Sequence, residues 1–310
     1  MSAATFGTPK KLERQYGKPL IQLPGSEETA EYDRASSFGK SIDNGAGLAY
    51  WAKCMVIKGA SLDSELTASA MPLEYDTDKS KLHELAERAM TLAGAGNKAS
   101  SGTAMHAWTD LVDSGRELPK NVPPAVLADL DAYRRATEGL EHLAAERFVV
   151  CDELRAAGSF DRLTRVLDVD PWPSWLRGKV VIGDLKTGNA EGAIAGIAVQ
   201  LSIYARSCYY DIQTGERTPI GADQGVGLVI HLPLGQGIAQ ILAVDLVVGW
   251  EGALAAQRAS AYQGKARLAC GACPGTGYYK NGNPCRSCKG TPRVPLAVQV
   301  RVVGAVQVAA

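Results

Sequence analysis

A short apolar run that leads into a charged pair and a turn is the feature that most constrains this chain. Residues 179–182 are Lys-Val-Val-Ile, and Thr-Gly-Asn follows at 187–189, which predicts a buried strand that ends in a turn. Asp184 and Lys186 stand at the end of this strand. Because side chains two residues apart in a strand point to the same face, the carboxylate and the amine should emerge side by side, with Leu185 in the opposite core.

A second acidic side chain is expected beside this pair. Segments 146–154 and 156–167 are predicted to be strands, and the second carries Asp161 within a Gly-Ser-Phe-Asp sequence. A hairpin of these strands would bring Asp161 next to Asp184. Since Mg²⁺ keeps several waters, two carboxylates and the Leu185 carbonyl oxygen would be enough to hold it. A cation held in this way, with a lysine alongside, suits hydrolysis of a phosphodiester.

Two predicted helices supply further polar side chains. Residues 194–210 favour a helix in which Gln200 and Tyr204 are four residues apart and share one face. Upstream, an amphipathic helix is expected over 101–112, with the hydroxyl residues at its start as cap candidates and His106 about one turn in. A neutral imidazole is a good metal ligand or phosphate contact, and its presence would shift the metal preference toward Mn²⁺.

Taken together, these positions resemble the PD-(D/E)XK nuclease superfamily, and most closely its RecB-like exonuclease branch. The branch includes the nuclease domain of bacterial recombination helicases, CRISPR-associated adaptation exonucleases and free-standing exonucleases of bacteriophages. The similarity covers roughly residues 81–265, with the matching positions in the same order. It implies an α/β, restriction-endonuclease-like core, in which a mixed central sheet is flanked by helices.

The resemblance also implies a role for each matching residue. The implied ligands of a catalytic Mg²⁺ or Mn²⁺ are His106, Asp161, Asp184 and the Leu185 carbonyl. Lys186 is implied to be catalytic, and Gln200 and Tyr204 to contact DNA or support the site. The proline of the superfamily's name has no counterpart beside Asp161, where a Gly-x-x-Asp form that is common in this branch is found.

Four cysteines near the C-terminus form a second motif. They make the sequences CGAC and CRSC, separated by eleven residues: Cys270, Cys273, Cys285 and Cys288. Two such pairs favour a tetrahedral thiolate site for Zn²⁺, and they resemble the CxxCxGxG elements in the zinc domain of J-type chaperones. Two disulfides are the alternative in an oxidising compartment. An iron-sulfur cluster is a further alternative, because some RecB-like nucleases hold one with an upstream cysteine, a part that Cys54 could play.

Charge and hydropathy limit the classes of partner. The 33 basic and 33 acidic residues cancel, so any path for DNA must come from local charge. The candidate basic clusters are Lys10, Lys11, Arg14 and Lys18; Arg162 and Arg165; and Lys280, Arg286, Lys289 and Arg293. Tyr278 and Tyr279 could stack on bases. No apolar stretch has the length of a membrane span and the N-terminus has no signal-peptide core, which predicts a cytoplasmic protein, bacterial or in a phage-infected host.

The remaining elements complete the expected organisation. An irregular arm over residues 1 to about 30 is followed by predicted helices at 48–58, 79–92, 126–143 and 247–262, and by predicted strands at 225–232 and 238–244. The tail 294–310 would be an added strand or a frayed end. The expected domains are an N-terminal arm and helical region at 1–80, the nuclease core at 81–265, the four-cysteine knuckle at 266–293 and the tail.

The function expected from these motifs is hydrolysis of DNA, most simply as an exonuclease on single strands or ends in recombination, repair or replication. No GxxxxGK[ST] loop is present, so unwinding would need a partner or opened DNA. One alternative is a catalytically silent DNA-binding or scaffold subunit that recruits recombination or replication proteins. Another is a zinc-dependent chaperone adaptor that binds unfolded polypeptide.

Overall fold

The computed structural model describes residues 12–15, 17–43, 45–188, 190–265, 273, 278–279 and 281–286. The chain divides into two compact units, Met1–Ala253 and Leu254–Ala310. The sheet and the site described below belong to the first unit. Among the described helices, none is long and apolar enough to cross a membrane.

The strands of the described part form two sheets. In chain order they are β1 Arg14–Gln15, β2 Lys18–Gln22, β3 Thr29–Glu31, β4 Asp33–Arg34, β5 Leu140–Cys151, β6 Ala156–Val166, β7 Val180–Lys186, β8 Cys208–Tyr210, β9 Arg217–Pro219, β10 Val226–His231 and β11 Gln240–Asp245. The larger sheet has the order β11-β10-β7-β6-β5-β8-β9, with β4 added to β6. The β7–β10 and β4–β6 pairs are parallel and the others are antiparallel, so the sheet is mixed.

Helices flank this sheet. They are α1 Ala35–Ile42, α2 Ala46–Ala60, α3 Ser64–Ala70, α4 Tyr75–Leu92, α5 Ala95–Asp113, α6 Pro124–Ala136, α7 Ile194–Ala205 and α8 Leu246–Lys265, with a 3₁₀ turn at Glu191–Ala193. The expected α/β class, with a mixed central sheet and flanking helices, is therefore confirmed.

Helix α7 lies in the connection between the two parallel strands β7 and β10 and is apolar on most of its surface. Its residues Ile197, Leu201 and Ile203 are buried, which fits a helix covered on several sides. Helix α1 packs on it so closely that a Cβ on Gly39 would come within 2.4 Å of the Gly196 carbonyl oxygen. The Asp43 carboxylate, just after α1, also accepts a hydrogen bond from the Gly196 amide at 3.1 Å, which satisfies one free donor of the first turn of α7.

Helices α5 and α6 pack on the sheet through an apolar cluster. The cluster contains Met105, Leu130, Tyr133, Leu185, Ile230 and Leu232. Leu185 thus packs into the core, as expected from the alternation of β7, while Asp184 points to the opposite face.

The N-terminal segment differs from the expected irregular arm. Strands β1, β2 and β3 form an antiparallel sheet, although residues 1–11 lie outside the described part. Alternating burial along β2 places Ile21 in a cluster with Tyr32, Val150 and Ala157. The prediction was wrong because this strand is short. Its residue Ile21 is buried by contacts with β5 and β6, which are far along the chain.

The predicted ends of two helices were also wrong. The helix expected over 126–143 ends at Ala136, and β5 begins at Leu140. Between them Gly139 has φ +80°, and a Cβ there would come within 2.6 Å of Trp172 Nε1, so the chain turns at a position that favours glycine. The helix expected over 194–210 ends at Ala205, because Cys208–Tyr210 pairs with β5.

The helix that carries His106 is longer than its sequence suggested. It begins at Ala95, after Gly94 with φ +82°, six residues before the predicted start. Ser101 and Thr103, expected as cap candidates, lie inside it. Hydroxyl residues favour helix starts, but they are tolerated inside a helix when packing extends it beyond them.

Candidate functional site

The candidate site begins where two central strands separate. Strands β6 and β7 are paired up to Arg162 and Gly183. One residue further on, Asp161 Oδ2 accepts a hydrogen bond from the backbone N–H of Leu185 at 3.1 Å. The carboxylate of Asp161 therefore takes the place of a backbone acceptor and lies beside Asp184, as the sequence predicted.

Asp184 is a buried carboxylate with incomplete pairing. Only 2 % of the residue is exposed, and its Oδ2 lies 2.6 Å from Lys186 Nζ as an ion pair. This oxygen receives no hydrogen bond of acceptable geometry within the described part of the chain. Burial and the negative charge of Asp161 raise the pKa of Asp184 to about 6, although Lys186 opposes the shift.

His106 approaches the same carboxylate from α5. Its Nδ1 lies 3.6 Å from Asp161 Oδ2. Burial lowers the pKa of His106 below its ordinary value, against the attraction of Asp161, so the imidazole is neutral at pH 7 and offers a lone pair. A neutral imidazole next to a carboxylate is a normal start for a divalent metal site.

Glu146 is a member of the site that the sequence analysis did not find. On β5, the residue before Glu146 pairs with Arg162 of β6, and the residue after it pairs with Phe160. Glu146 therefore lies opposite Asp161. The side chains of His106, Glu146 and Asp161 each offer one possible ligand atom. These three atoms lie within 4.8 Å of one another. Burial and the charge of Asp161 raise the pKa of Glu146. The register of the β5–β6 hairpin, which creates this contact, is not visible as a motif.

The backbone of Glu146 is unusual for a residue inside a strand. Its φ is +50°, in the left-handed region, where residues other than glycine are strained by about 1–3 kcal/mol. Such a conformation persists only when its surroundings hold it. It is often found at functional sites.

Arg162 was expected as a candidate DNA contact, and this expectation was wrong. Only 1 % of it is exposed. Its guanidinium donates to Asp113 at 2.9 Å and to Thr109 at 2.6 Å, and forms an ion pair with Asp110 at 3.2 Å. Arg162 therefore links α5, which carries His106, to β6. The alternation of the strand turns it inward, and the acidic residues of α5 compensate its charge.

Tyr204 lies close to the carboxylates and is buried. Burial, followed by the charges of Asp161 and Asp184, raises its pKa above the usual range, so the phenol stays protonated. The hydroxyl occupies space that only glycine leaves open, since a Cβ on Gly158 would come within 2.7 Å of Tyr204 Oη. The glycine of the Gly-Ser-Phe-Asp sequence thus makes room for the tyrosine.

A cavity of about 300 Å³ lies beside this tyrosine. Gln200 and Tyr204 both line it, in agreement with their expected shared face. The other polar side chains that line it are Arg14, Arg34, Ser36 and Ser159. None of its described lining residues is acidic, so the cavity offers cationic and hydroxyl groups suited to an anion.

The predicted four-cysteine knuckle lies only partly within the described residues. Cys273 and Cys285 are buried and pack with Tyr279. A turn holds this segment, since the Tyr279 amide donates to the Asn283 carbonyl at 2.8 Å and Gly282 has φ +80°. Cys270 and Cys288 are outside the described residues, as are Lys280, Lys289, Arg293 and the tail 294–310.

The three cysteines outside the motif differ in exposure. Cys151 is buried, Cys208 is partly buried and Cys54, on α2, is exposed. Cys151 and Cys208 lie on the paired strands β5 and β8 of the larger sheet. Small packing residues are therefore a sufficient account of these two.

Comparison with known proteins adds no assignment. The chain matches no family profile and no curated protein. Its function is therefore inferred from the residues and geometry described above.

Proposed function

We propose that this protein is a Mg²⁺- or Mn²⁺-dependent DNA nuclease with a restriction-endonuclease-like core, acting as an exonuclease on single strands or ends. The observation that carries this proposal is the meeting of Asp161, Asp184 and Lys186 at the point where β6 and β7 separate. Carboxylates from neighbouring strands with an amine alongside are suited to phosphodiester hydrolysis.

The side chains present fit a divalent cation. The buried Oδ2 of Asp184 is ion-paired with Lys186 but receives no hydrogen bond of good geometry in the described part of the chain. Two close carboxylates repel each other unless a positive charge lies between them. The residues that would hold the ion are Asp161, Asp184, His106 and the Leu185 carbonyl. When bound, Mg²⁺ or Mn²⁺ would neutralise charge on the phosphate and favour ionisation of water.

Lys186 is placed to contact the reacting phosphate. Its ammonium lies 2.6 Å from Asp184 while about a third of the side chain remains exposed, so it can donate to a phosphate oxygen without leaving the site. Hydrolysis forms one P–O bond to a water oxygen and breaks one P–O bond to a sugar oxygen, which takes up a proton. Lys186 would orient the water and stabilise the added negative charge.

The cavity beside Tyr204 supports a polyanionic substrate. Arg14 and Arg34 bring positive charge to it, in a chain whose overall charge is zero. Phosphates of a strand bound there would be contacted by guanidinium groups, hydroxyls and the Gln200 amide. Gln200 and Tyr204 would then connect the bound strand to the carboxylates.

The direct test compares Asp184→Ala and Lys186→Ala with the wild-type protein. The substrates are labelled single- and double-stranded DNA, linear and circular, with Mg²⁺, Mn²⁺ or EDTA. We expect both variants to lose cleavage and to keep a wild-type circular dichroism spectrum. The matched controls are Asp168→Asn and Lys120→Ala, which change exposed residues away from the site.

Wild-type rates in either alanine variant would refute the assignment. DNA retention without degradation at every metal concentration would instead favour the catalytically silent DNA-binding subunit. Cleavage of linear but not circular DNA would support the exonuclease.

We further propose that Cys270, Cys273, Cys285 and Cys288 bind structural Zn²⁺. The support is that Cys273 and Cys285, one from each pair, are both buried against Tyr279. Four thiolates would give the tetrahedral set that Zn²⁺ favours. Elemental analysis should find zinc, whereas visible absorption and iron would indicate an iron-sulfur cluster instead.

A further inference from the structure

His231 lies beside the proposed catalytic lysine on the neighbouring strand. In the parallel pairing of β7 with β10, His231 is the partner of Lys186. The preceding pair, Leu185 and Ile230, packs into one apolar cluster. Because side chains alternate along a strand, His231 and Lys186 point to the opposite face, where Asp184 also lies. Neighbouring strands are about 4.8 Å apart, so the imidazole starts one strand spacing from the lysine.

The end of β7 is held mainly by β10. Its pairing with β6 stops at Gly183, and beyond this point the Asp161 carboxylate replaces a backbone acceptor. On the other side the pairing continues as far as Lys186, whose carbonyl oxygen accepts a hydrogen bond from the Leu232 amide at 2.8 Å. The position of Lys186 therefore depends on β10.

The turn after β7 is bound by the His231 side chain. Its Nε2 lies 2.9 Å from the carbonyl oxygen of Gly188. Since a carbonyl oxygen can only accept a hydrogen bond, Nε2 carries a proton and donates it. Gly188 itself is exposed and lies two residues after Lys186. The hydrogen bond thus holds the chain just beyond the point where the sheet pairing ends.

Helix α5 contacts the same turn. A Cβ on Gly102 would come within 3.0 Å of Thr187 Oγ1, so the helix approaches the turn closely at a glycine. Gly102 is four residues before His106 and lies on the same face of α5. The turn is therefore contacted both by His231 and by the helix that carries His106.

We propose that His231 is a positioning residue, which fixes the end of β7 so that the Lys186 ammonium keeps its place beside Asp184. This inference rests on the proposed nuclease function and adds to it a residue outside the metal cluster. Lysine has a flexible side chain, and about a third of that of Lys186 is exposed. Because a misplacement of about 1 Å can lower a rate by about 100-fold, the backbone that carries this lysine has to be held in place.

The test compares two amides that differ by one methylene group. In His231→Gln the amide nitrogen can reach the place of Nε2 and donate to Gly188, whereas the shorter side chain of His231→Asn cannot. His231→Asn should lower kcat by about 10- to 100-fold with little change in KM, and His231→Gln should restore most of the rate. His83→Asn, which changes an exposed histidine of α4, is the control and should cleave at the wild-type rate.

A measurement without DNA or metal reports on Lys186 directly. Reductive methylation with ¹³C-formaldehyde labels lysine side chains, and the NMR signal of Lys186 is identified by its loss in Lys186→Arg. This signal should move in His231→Asn, because the ammonium changes its position relative to Asp184. It should stay at its wild-type position in His231→Gln and in His83→Asn. Circular dichroism should show the same fold in all the variants.

An unmoved Lys186 signal in His231→Asn overturns the positioning role. So does a His231→Gln variant as slow as His231→Asn, because the imidazole itself would then be needed. Failure of the wild-type protein to cleave DNA would overturn the nuclease alone, since the movement of the Lys186 signal depends neither on DNA nor on activity.

Discussion

Two consecutive residues of β6 carry opposite charges in different kinds of surroundings. Arg162 is buried among Thr109, Asp110 and Asp113, and its guanidinium lies 5.6 Å from the centre of the Tyr133 ring. Asp161, the preceding residue, lies near two other carboxylates and a neutral imidazole. Lys186 is the cation that pairs with a carboxylate of this cluster. In the Arg162 cluster, one cation faces the two carboxylates of Asp110 and Asp113. In the Asp161 cluster, one lysine faces three carboxylates, so this cluster has the larger surplus of negative charge.

This difference distinguishes a structural cluster from the candidate functional site. A buried arginine held by two carboxylates and a hydroxyl fixes geometry, here the position of α5 against β6. A larger excess of negative charge favours a cation from outside the protein, and such clusters are typical of catalytic and metal sites. Arg162 is therefore expected to matter for folding, and its neighbour Asp161 for binding and chemistry.

The largest expected effect on stability comes from breaking the Arg162 cluster. Arg162→Leu would leave Asp110 and Asp113 without their cation in a largely buried position. Removal of one partner of a buried pair typically costs about 3–5 kcal/mol. Urea denaturation followed by circular dichroism should show this loss. A loss below about 1 kcal/mol would mean that the cluster is not structural.

A smaller effect is expected from the pH dependence of the Asp161 cluster. The pKa of Asp184 is raised from 3.8 to about 6 in the folded protein, so the folded state holds this proton more tightly than the unfolded state. Metal-free protein should therefore gain stability as pH falls through 6, and the gain should be complete below 3.8. The shift corresponds to about 3 kcal/mol.

Comparison with Asp184→Asn isolates this contribution, because the amide does not titrate. The free energy of unfolding of the wild type, minus that of the variant, should rise as pH falls, in urea titrations with EDTA. A difference that stays constant with pH would show that Asp184 is not perturbed. Excess Mg²⁺ or Mn²⁺ should suppress the rise, because the ion favours the ionised carboxylate.

The cationic cavity next to the Asp161 cluster should affect DNA binding more modestly. Arg34→Ala is expected to weaken the binding of a DNA strand, and to lower the slope of log affinity against log salt by about 1, as for the loss of one phosphate contact. Fluorescence anisotropy at several salt concentrations measures both. Arg135→Ala, which changes an exposed arginine paired with Asp131 on the same helix, is the control and should change neither.

The smallest effect is expected at Arg165, which follows Arg162 by three residues on the same strand. Arg165 is exposed, whereas Arg162 is buried. Its ion pair with Glu141, at 2.6 Å, is also exposed. Exposed pairs contribute about 0–1 kcal/mol, so Arg165→Ala should unfold at nearly the wild-type urea concentration. A loss as large as that of Arg162→Leu would show that burial does not explain the contrast between these arginines.

Much of the site could be predicted because it depends on local rules. Alternation in β7 placed Asp184 and Lys186 on one face and Leu185 in the core, and the four-residue spacing put Gln200 and Tyr204 beside the same cavity. These are consequences of strand and helix periodicity. The nuclease activity itself remains a proposal.

Other features could not be predicted because they depend on distant partners. Glu146 joins the site through the β5–β6 register, which a sequence motif does not report. Arg162 looked like a surface residue until α5 supplied its acidic partners. Helices α6 and α7 end earlier than their patterns suggested, because the residues that follow them pair in the sheet as β5 and β8.

The sequence alone determined the α/β class, the strand that carries Asp184 and Lys186, and the residue types available for metal chemistry. These follow from periodicity and from the chemistry of single side chains. Only the tertiary structure decided which charges compensate one another, because compensation depends on distances of a few ångströms between residues far apart in the chain. For that reason, adjacent residues of one strand could be placed in a structural cluster and in the candidate site only after the positions of the strands and helices were known.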